Sequence, residues 1–227
     1  GAERAAHARP TRPRAGALPE ILVYALSLGI GVVALLYPFL QAAVQTAAPE
    51  TARAGDSTLL LFVLLGLCFA ALLVEVQGQA VSAKHMALLG MLVAINSVLR
   101  FVAVGIPGPG GFSPVFVLIV LTGYVYGGRF GFLLGALTML VSALITGGVG
   151  PWLPAQMFTA GWVGLSAPLA RPLVRAVGGS EGSRREVGIL AVFGGLWGVV
   201  YGLGINLWFW PFMAGPAGQL SRLYAEQ

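Results

Sequence analysis

The sequence predicts an all-α polytopic membrane protein, a bundle of helices that crosses the bilayer several times. Hydrophobic residues make up 57% of the 227 residues and charged residues only 9%, whereas soluble domains carry about 25% charged residues. The mean hydropathy is correspondingly high, at +0.86. Apolar runs long enough for membrane helices alternate with polar or Gly/Pro-rich segments. This alternation excludes a soluble globular fold and indicates successive crossings.

The N-terminal part precedes the region that carries the candidate site. Residues 1–17 are basic, contain proline and lack periodicity, so we expect a disordered cytoplasmic tail. Residues 18–79 are expected to form two additional transmembrane helices and a linker. The first span covers about 19–46, with a kink at Pro38, and the second covers about 58–76.

The third apolar run, 82–105, has two chemically different faces. Its small residues recur at i, i+4, i+7 and i+11, which places them on one narrow stripe and lets another helix backbone approach in lipid. Asn96 and Arg100 lie one turn apart on a different face, and such groups are costly in hydrocarbon, so they indicate a polar pocket. The small-residue stripe consists of Ala83, Ala87, Gly90 and Ala94.

Four further spans follow, separated by turns rich in glycine. The segment 106–114 contains two Pro-Gly pairs and cannot continue a helix. A tight turn at 127–129 and a second Gly/Pro-rich turn at 147–154 divide the spans after it. The first of the four is short for a full crossing of about 20 residues. The expected spans are about 114–127, about 130–147, a run that ends at about 170, and about 187–210.

The distribution of Lys and Arg predicts the orientation. With the N-terminus in the cytoplasm, ten of the 13 Lys and Arg residues fall on cytoplasmic segments and three on outer segments, as the positive-inside rule requires. The small-residue stripe then begins at the cytoplasmic side, and Arg100 lies at the outer surface. Because the basic residues serve membrane topology, the high pI does not indicate nucleic-acid binding.

On this topology, polar groups and Gly-rich turns converge at the outer side of the membrane. Glycine turns let backbone amides approach a ligand and aromatic rings supply flat apolar walls, a combination typical of small-molecule pockets. Other interpretations stay open: an interfacial tryptophan belt, a snorkelling anchor for Arg100, and interhelical hydrogen bonding for Asn206. The predicted substrate-binding residues are Asn96, Arg100, Phe112, Ser113, Gly148, Trp152, Gln156, Asn206 and Trp210.

The sequence contains no motif for catalysis or metal binding. No Cys/His/Asp/Glu cluster has ligand spacing, and Cys68, the one cysteine, lies in an apolar run. An intramembrane protease would need a Gly-x-Ser-Gly segment and a histidine within the membrane. The most similar segment, Gly164-Leu-Ser166-Ala, has alanine in place of the second glycine, and His85 lies on the opposite side of the membrane. We therefore expect no enzyme. Two alternatives stay open. One is a self-sufficient carrier or channel, although ion coupling usually leaves Asp or Glu within the spans. The other is a structural membrane subunit without a ligand.

Several segments resemble the substrate-binding S components of energy-coupling factor (ECF) vitamin transporters. The run G-V-G-P-W-L-P-A-Q-M at 148–157 is the most specific, and the resemblance extends over about 80–215. It implies a multi-pass protein of a prokaryotic plasma membrane that binds a vitamin or related micronutrient from outside. The chain resembles the actinobacterial-type corrinoid (cobalamin) group, and a flavin, a pyrimidine or another vitamin stays open as the cargo. The other segments are A-K-H-M-A-L-L-G-M-L-V-A-I-N-S-V-L-R at 83–100, G-P-G-G-F-S-P-V-F at 108–116 and G-I-N-L-W-F-W-P-F at 204–212.

The resemblance also implies partners. These are a transmembrane coupling protein and two ATPase subunits that use the ATP, while this chain binds no cofactor itself and has no G-x-x-x-x-G-K-[ST] motif. The family's alanine motif, which docks the coupling protein, maps onto the small-residue stripe. The family core has six helices, and only five are found from Ser82 onward. The S-component-like domain, 80–227, is therefore expected to lack the last helix.

Overall fold

The computed structural model describes residues 25, 28–39, 63, 66, 83–106 and 113–213. Within these residues the chain forms helices joined by short turns and contains no β-strand, which confirms the predicted all-α architecture. A 3-10 segment at Ala167–Leu169 follows the fifth helix. The helices are α1 (Leu28–Phe39), α2 (Ala83–Gly105), α3 (Val115–Tyr126), α4 (Gly128–Thr146), α5 (Leu153–Ser166), α6 (Ala170–Ala176) and α7 (Arg184–Met213).

Three of the described helices are long and apolar enough to cross a membrane. They are Ala83–Ala103 in α2, Gly128–Thr146, which is α4, and Arg184–Trp210 in α7. Helices α1 and α3 are apolar but shorter. At 1.5 Å per residue, the 12 residues of α3 extend about 18 Å, less than the roughly 30 Å of a bilayer core. The fourth predicted span is therefore short, as the sequence indicates.

Helix α4 is the centre of the bundle and packs against α2, α3 and α5. Its contacts with α3 and α5 are backbone contacts, because glycines meet there. A Cβ atom on Gly131 would lie 2.6 Å from the Gly123 Cα, which no real Cβ contact tolerates. A Cβ atom on Gly135 would collide with the Ala160 carbonyl oxygen in the same way. We call this contact the glycine seam; its members are Gly123, Gly131, Gly135 and Gly164.

Two glycines and one proline determine where the helices around the seam end. Gly127 separates α3 from α4 at φ 104°, and Gly147 ends α4 at φ 66°; glycine adopts this left-handed region without steric cost. Pro168 has no N–H and cannot continue α5 as an α-helix. The chain tightens there, and the Gly164 carbonyl oxygen accepts from the Ala167 N–H instead.

Helix α1 is packed into the bundle. Ala34 and Tyr37 are buried at 0% and 3% exposure. A Cβ atom on Gly31 would fall 2.9 Å from the Phe158 Cβ of α5 and against the Trp162 ring. The first span is predicted to be additional to the core, and its described part lies against a core helix. The tail 1–17 and nearly all of the second span lie outside the described residues.

The two ends of the described bundle differ in their polar side chains. At one end, which we call the arginine end, the Arg171 Nε donates to the Tyr124 carbonyl oxygen over 2.9 Å, and so neutralises the C-terminal carbonyls of α3. Glu186, buried in the first turn of α7, accepts from the Tyr124 hydroxyl at 2.8 Å and from the Gly182 N–H at 2.6 Å. Ser183 caps α7 by accepting from the Glu186 N–H. These contacts make the arginine end a helix-capping cluster.

Candidate functional site

The opposite end, which we call the tryptophan end, contains Arg100 in a contact between three helices. The guanidinium is half-buried. Its Nη2 donates to the Gln156 Oε1 of α5 over 3.1 Å, and its Nη1 contacts the Met139 Sδ of α4. Because a thioether is a weak acceptor, Gln156 is the stronger of these two partners.

A buried polar layer lies one turn below Arg100. The Asn96 side chain, 0% exposed, donates from Nδ2 to the Thr138 Oγ1 of α4 over 3.2 Å. Among the described residues, the Asn96 Oδ1 and the hydroxyl of the adjacent Ser97 have no hydrogen-bond partner. Since turning the Asn96 amide leaves the other amide atom unpaired, the layer keeps unused hydrogen-bonding capacity in either orientation. Buried polar groups of that kind are rare and costly.

Aromatic side chains from two further helices close the site. The Tyr201 hydroxyl of α7 lies 3.9 Å from the Met139 Sδ. The Tyr201 ring packs edge-on against Phe116 of α3, with ring centroids 4.7 Å apart. Residues of five helices, α2, α3, α4, α5 and α7, therefore surround the Arg100 guanidinium and the groups that it contacts.

The Gly148–Trp152 turn joins α4 to α5 beside the site. The Trp152 Nε1 donates to the Gly148 carbonyl oxygen over 3.1 Å, which closes the turn on itself. The Gln156 N–H donates to the Trp152 carbonyl oxygen at 3.0 Å, so the partner of Arg100 is held one helical turn after the loop. The Trp152 ring also faces Phe209 of α7, at 6.0 Å between centroids.

The structure brings together some of the predicted site residues and not others. Arg100 and Gln156 share a hydrogen bond, and Asn96 lies one turn below Arg100. Gly148 and Trp152 lie in the turn that precedes Gln156. Ser113 is half-buried just before α3, and Phe112 lies outside the described residues.

Asn206 and Trp210 are not brought to the Arg100 network. Asn206 is exposed and its amide donates to the Gly202 carbonyl oxygen of its own helix at 2.8 Å. Trp210 is 64% exposed, whereas the neighbouring Trp208 is 1% exposed. The reason is helical geometry: Asn206 and Trp210 share one face at i, i+4, while Tyr201 and Trp208 share another at i, i+7.

The network includes residues that the sequence analysis does not identify. Thr138 accepts a hydrogen bond from Asn96, and Met139 contacts Arg100. Tyr201 lies against Met139, and Ser97 follows Asn96 in the chain. Each is a single polar or polarisable side chain in an apolar run, a pattern that equally fits interhelical hydrogen bonding. Only the helix arrangement places these residues next to Arg100.

The small-residue stripe of α2 lies on the surface of the described bundle. All four members are exposed, and a Cβ atom on Gly90 would meet nothing within 4 Å. The buried face of α2, which carries Leu89, Val93 and Asn96, lies to one side of the stripe. None of the described helices covers this stripe.

The fold and the site define a class of protein: a helical membrane protein with a polar, aromatic-lined site at one end. Among the described residues, no group of His, Cys, Asp and Glu side chains could hold a metal ion. A family model, ECF transporter, substrate-specific component, matches residues 84–221, more than half of the 227 residues. The chain belongs to this family, and it is a transport subunit that works with an ECF module. No curated protein and no solved structure matches the chain.

Proposed function

We propose that this subunit binds a vitamin or related micronutrient at the tryptophan end, with that end facing the outside of a prokaryotic plasma membrane and the N-terminus in the cytoplasm. The observation that carries the proposal is the Arg100 network, in which a half-buried guanidinium donates to Gln156 and contacts the weakly accepting Met139 sulfur. A charged group inside an apolar bundle is costly, so its presence indicates a functional site.

The chemistry of the network indicates an anionic or strongly accepting group on the cargo. A carboxylate or phosphate ester binds guanidinium by two parallel charge-assisted hydrogen bonds, and it would replace the weak sulfur contact. The unpaired amide atom of Asn96 and the Ser97 hydroxyl offer further hydrogen bonds. Phe116 and Tyr201 supply apolar walls for a ring. A corrinoid is our first candidate because of the sequence resemblance, and its phosphodiester meets the requirement at Arg100.

We further propose that the small-residue stripe docks the transmembrane coupling protein, whose two ATPase subunits supply the energy. Small residues let helix backbones approach closely, which drives helix association in lipid. Ala83, Ala87, Gly90 and Ala94 are all exposed and have room for a partner helix. The chain then binds the cargo at one end and is energised by separate subunits.

The test of the binding site is mass spectrometry of small molecules that co-purify with the detergent-solubilised protein. We expect one micronutrient with the parent chain. Arg100→Ala should reduce the retained amount by about 10- to 100-fold, the equivalent of losing charge-assisted hydrogen bonds worth about 1.5–3 kcal/mol.

The matched control is Arg175→Ala, which removes an exposed arginine at the arginine end and should leave retention unchanged. Equal retention by Arg100→Ala and the parent would place the site elsewhere. In liposomes, uptake should require the coupling protein and the ATPases. Transport by the purified chain alone would instead support the self-sufficient carrier.

A further inference from the structure

Helix α1 precedes the family match, which begins at residue 84, yet one of its faces is buried in the described bundle. Ala34 is 0% exposed. The Trp208 Nε1 of α7 donates to the Ala34 carbonyl oxygen over 3.0 Å. A side chain of the family region is thus hydrogen-bonded to the backbone of a helix outside it.

Pro38 explains why the Ala34 carbonyl oxygen is available. In a regular α-helix this oxygen would accept from the N–H four residues later, which is position 38. Proline has no N–H, and its ring crowds the carbonyl four residues earlier. In lipid an unsatisfied carbonyl costs several kcal/mol, so the Trp208 indole supplies the donor that Pro38 lacks.

Aromatic contacts continue from this bond to the candidate site. The Trp208 ring packs edge-on against Phe209, with centroids 5.0 Å apart. Phe209 in turn faces Trp152 at 6.0 Å, and Trp152 closes the Gly148–Trp152 turn. The Gln156 partner of Arg100 follows that turn by one helical turn.

We propose that α1 is a positioning element of the binding site. The bond between Trp208 and the carbonyl freed by Pro38 fixes the last turns of α7, so that Phe209 holds Trp152 and the turn that presents Gln156 to Arg100. Trp208 is a positioning residue, since it acts through Phe209 and Trp152. The effect on cargo binding rests on the function proposed above, whereas the coupling from α1 to Trp152 does not.

The first measurement needs no ligand. The protein is labelled with 5-fluorotryptophan, and the Trp152 resonance is assigned among the five tryptophans with Trp152→Phe. Trp208→Phe keeps an aromatic ring and removes the N–H donor, so the Trp152 resonance should shift or broaden. Trp210→Phe, at an exposed position of the same helix, is the matched control and should leave it in place. An unchanged Trp152 resonance in Trp208→Phe would overturn the proposal.

A second variant changes the acceptor side of the bond, and it tests the proposal if Trp208→Phe does not fold. Pro38→Ala restores an N–H at position 38, which competes with Trp208 for the Ala34 carbonyl oxygen. It should move the Trp152 resonance in the same direction. Because both changes act on one bond, the change in melting temperature of the double variant should differ from the sum of the two single changes. Additive changes would contradict a shared bond.

The link to binding is measured separately by mass spectrometry of the co-purified small molecule. Trp208→Phe should reduce retention by about tenfold, the factor that corresponds to one lost hydrogen bond, while Trp210→Phe retains the parent amount. A shifted Trp152 resonance with full retention would overturn the positioning role and leave the proposed function standing. If the parent itself retains no small molecule, the proposed function fails, and the fluorine spectra still decide the coupling.

Discussion

The glycine seam and the small-residue stripe are two surfaces of similar composition with opposite environments. In the seam, Gly131 and Gly135 let the backbone of α4 come into direct contact with the backbones of α3 and α5. In the stripe, Gly90 has open space around its Cα and its alanine neighbours are exposed. Both sets recur at the helical spacing that suits close packing in lipid.

The difference shows that a small-residue pattern identifies a surface able to pack but does not identify its partner. The seam is satisfied within the chain, so its glycines serve folding. The stripe is left open by the described helices, so it is the surface on which we propose that another subunit docks. Substitutions that add volume should therefore unfold the protein at one surface and separate it from its partner at the other.

The largest effect is expected in the seam. Gly131→Leu places a branched side chain where even a Cβ atom would lie 2.6 Å from the Gly123 Cα. Overpacking typically costs about 1–3 kcal/mol and occasionally more, and here backbone rather than a flexible side chain must move. We expect little folded protein, measured as the monodisperse fraction in size-exclusion chromatography. A variant with the parent's yield and melting temperature would show that α3 and α4 can separate at no cost.

A functional loss without unfolding is expected in the stripe. Gly90→Leu and Ala87→Trp should keep the parent's melting temperature and cargo retention, because the new side chains enter open space. Both should abolish uptake in cells or in liposomes that contain the complete transporter, since a bulky side chain holds the partner helix away. Ile95→Trp, at an exposed position on a different face of α2, is the matched control and should support uptake. Uptake at the parent's rate in Gly90→Leu would remove the docking proposal.

The smallest effects are expected when a single methyl group is added to a glycine of each surface. Gly90→Ala should leave the melting temperature unchanged or raise it, because alanine favours a helix over glycine by up to about 1 kcal/mol and no neighbour obstructs the methyl group. Gly135→Ala should lower it, because the same methyl group would meet the Ala160 carbonyl oxygen. Thermal unfolding in one detergent measures both. Shifts of the same sign would mean that the two surfaces do not differ as described.

The polar residues of the site were predictable in part. Asn96 and Arg100 stand out because polar groups within an apolar run are costly, and the structure joins them to α4 and α5. Gln156 was identified from its place after the Gly148–Trp152 turn. Met139 and Ser97 were not identified, since a methionine or serine in a membrane helix has no distinctive signal.

The face of α7 could not be predicted. In a soluble protein the apolar face of a helix marks the buried side, but α7 is apolar on all sides, and its large residues are largely exposed. Lipid is as apolar as a protein core, so hydrophobicity does not separate the two. Asn206 and Trp210 were therefore predicted as candidate site residues, whereas Tyr201 and Trp208 occupy the inward face.

The sequence by itself determined the membrane class, the helical architecture, the family and the polar character of the α2 segment around Arg100. These follow from composition, hydropathy and local motifs, which need no knowledge of neighbours. The tertiary structure decided which small-residue surface is covered, which face of α7 points inward, and that α1 joins the bundle through the Ala34–Trp208 bond. The physical reason is that in lipid these choices depend on close packing and on which hydrogen-bond donor reaches which acceptor, and both are properties of pairs of helices.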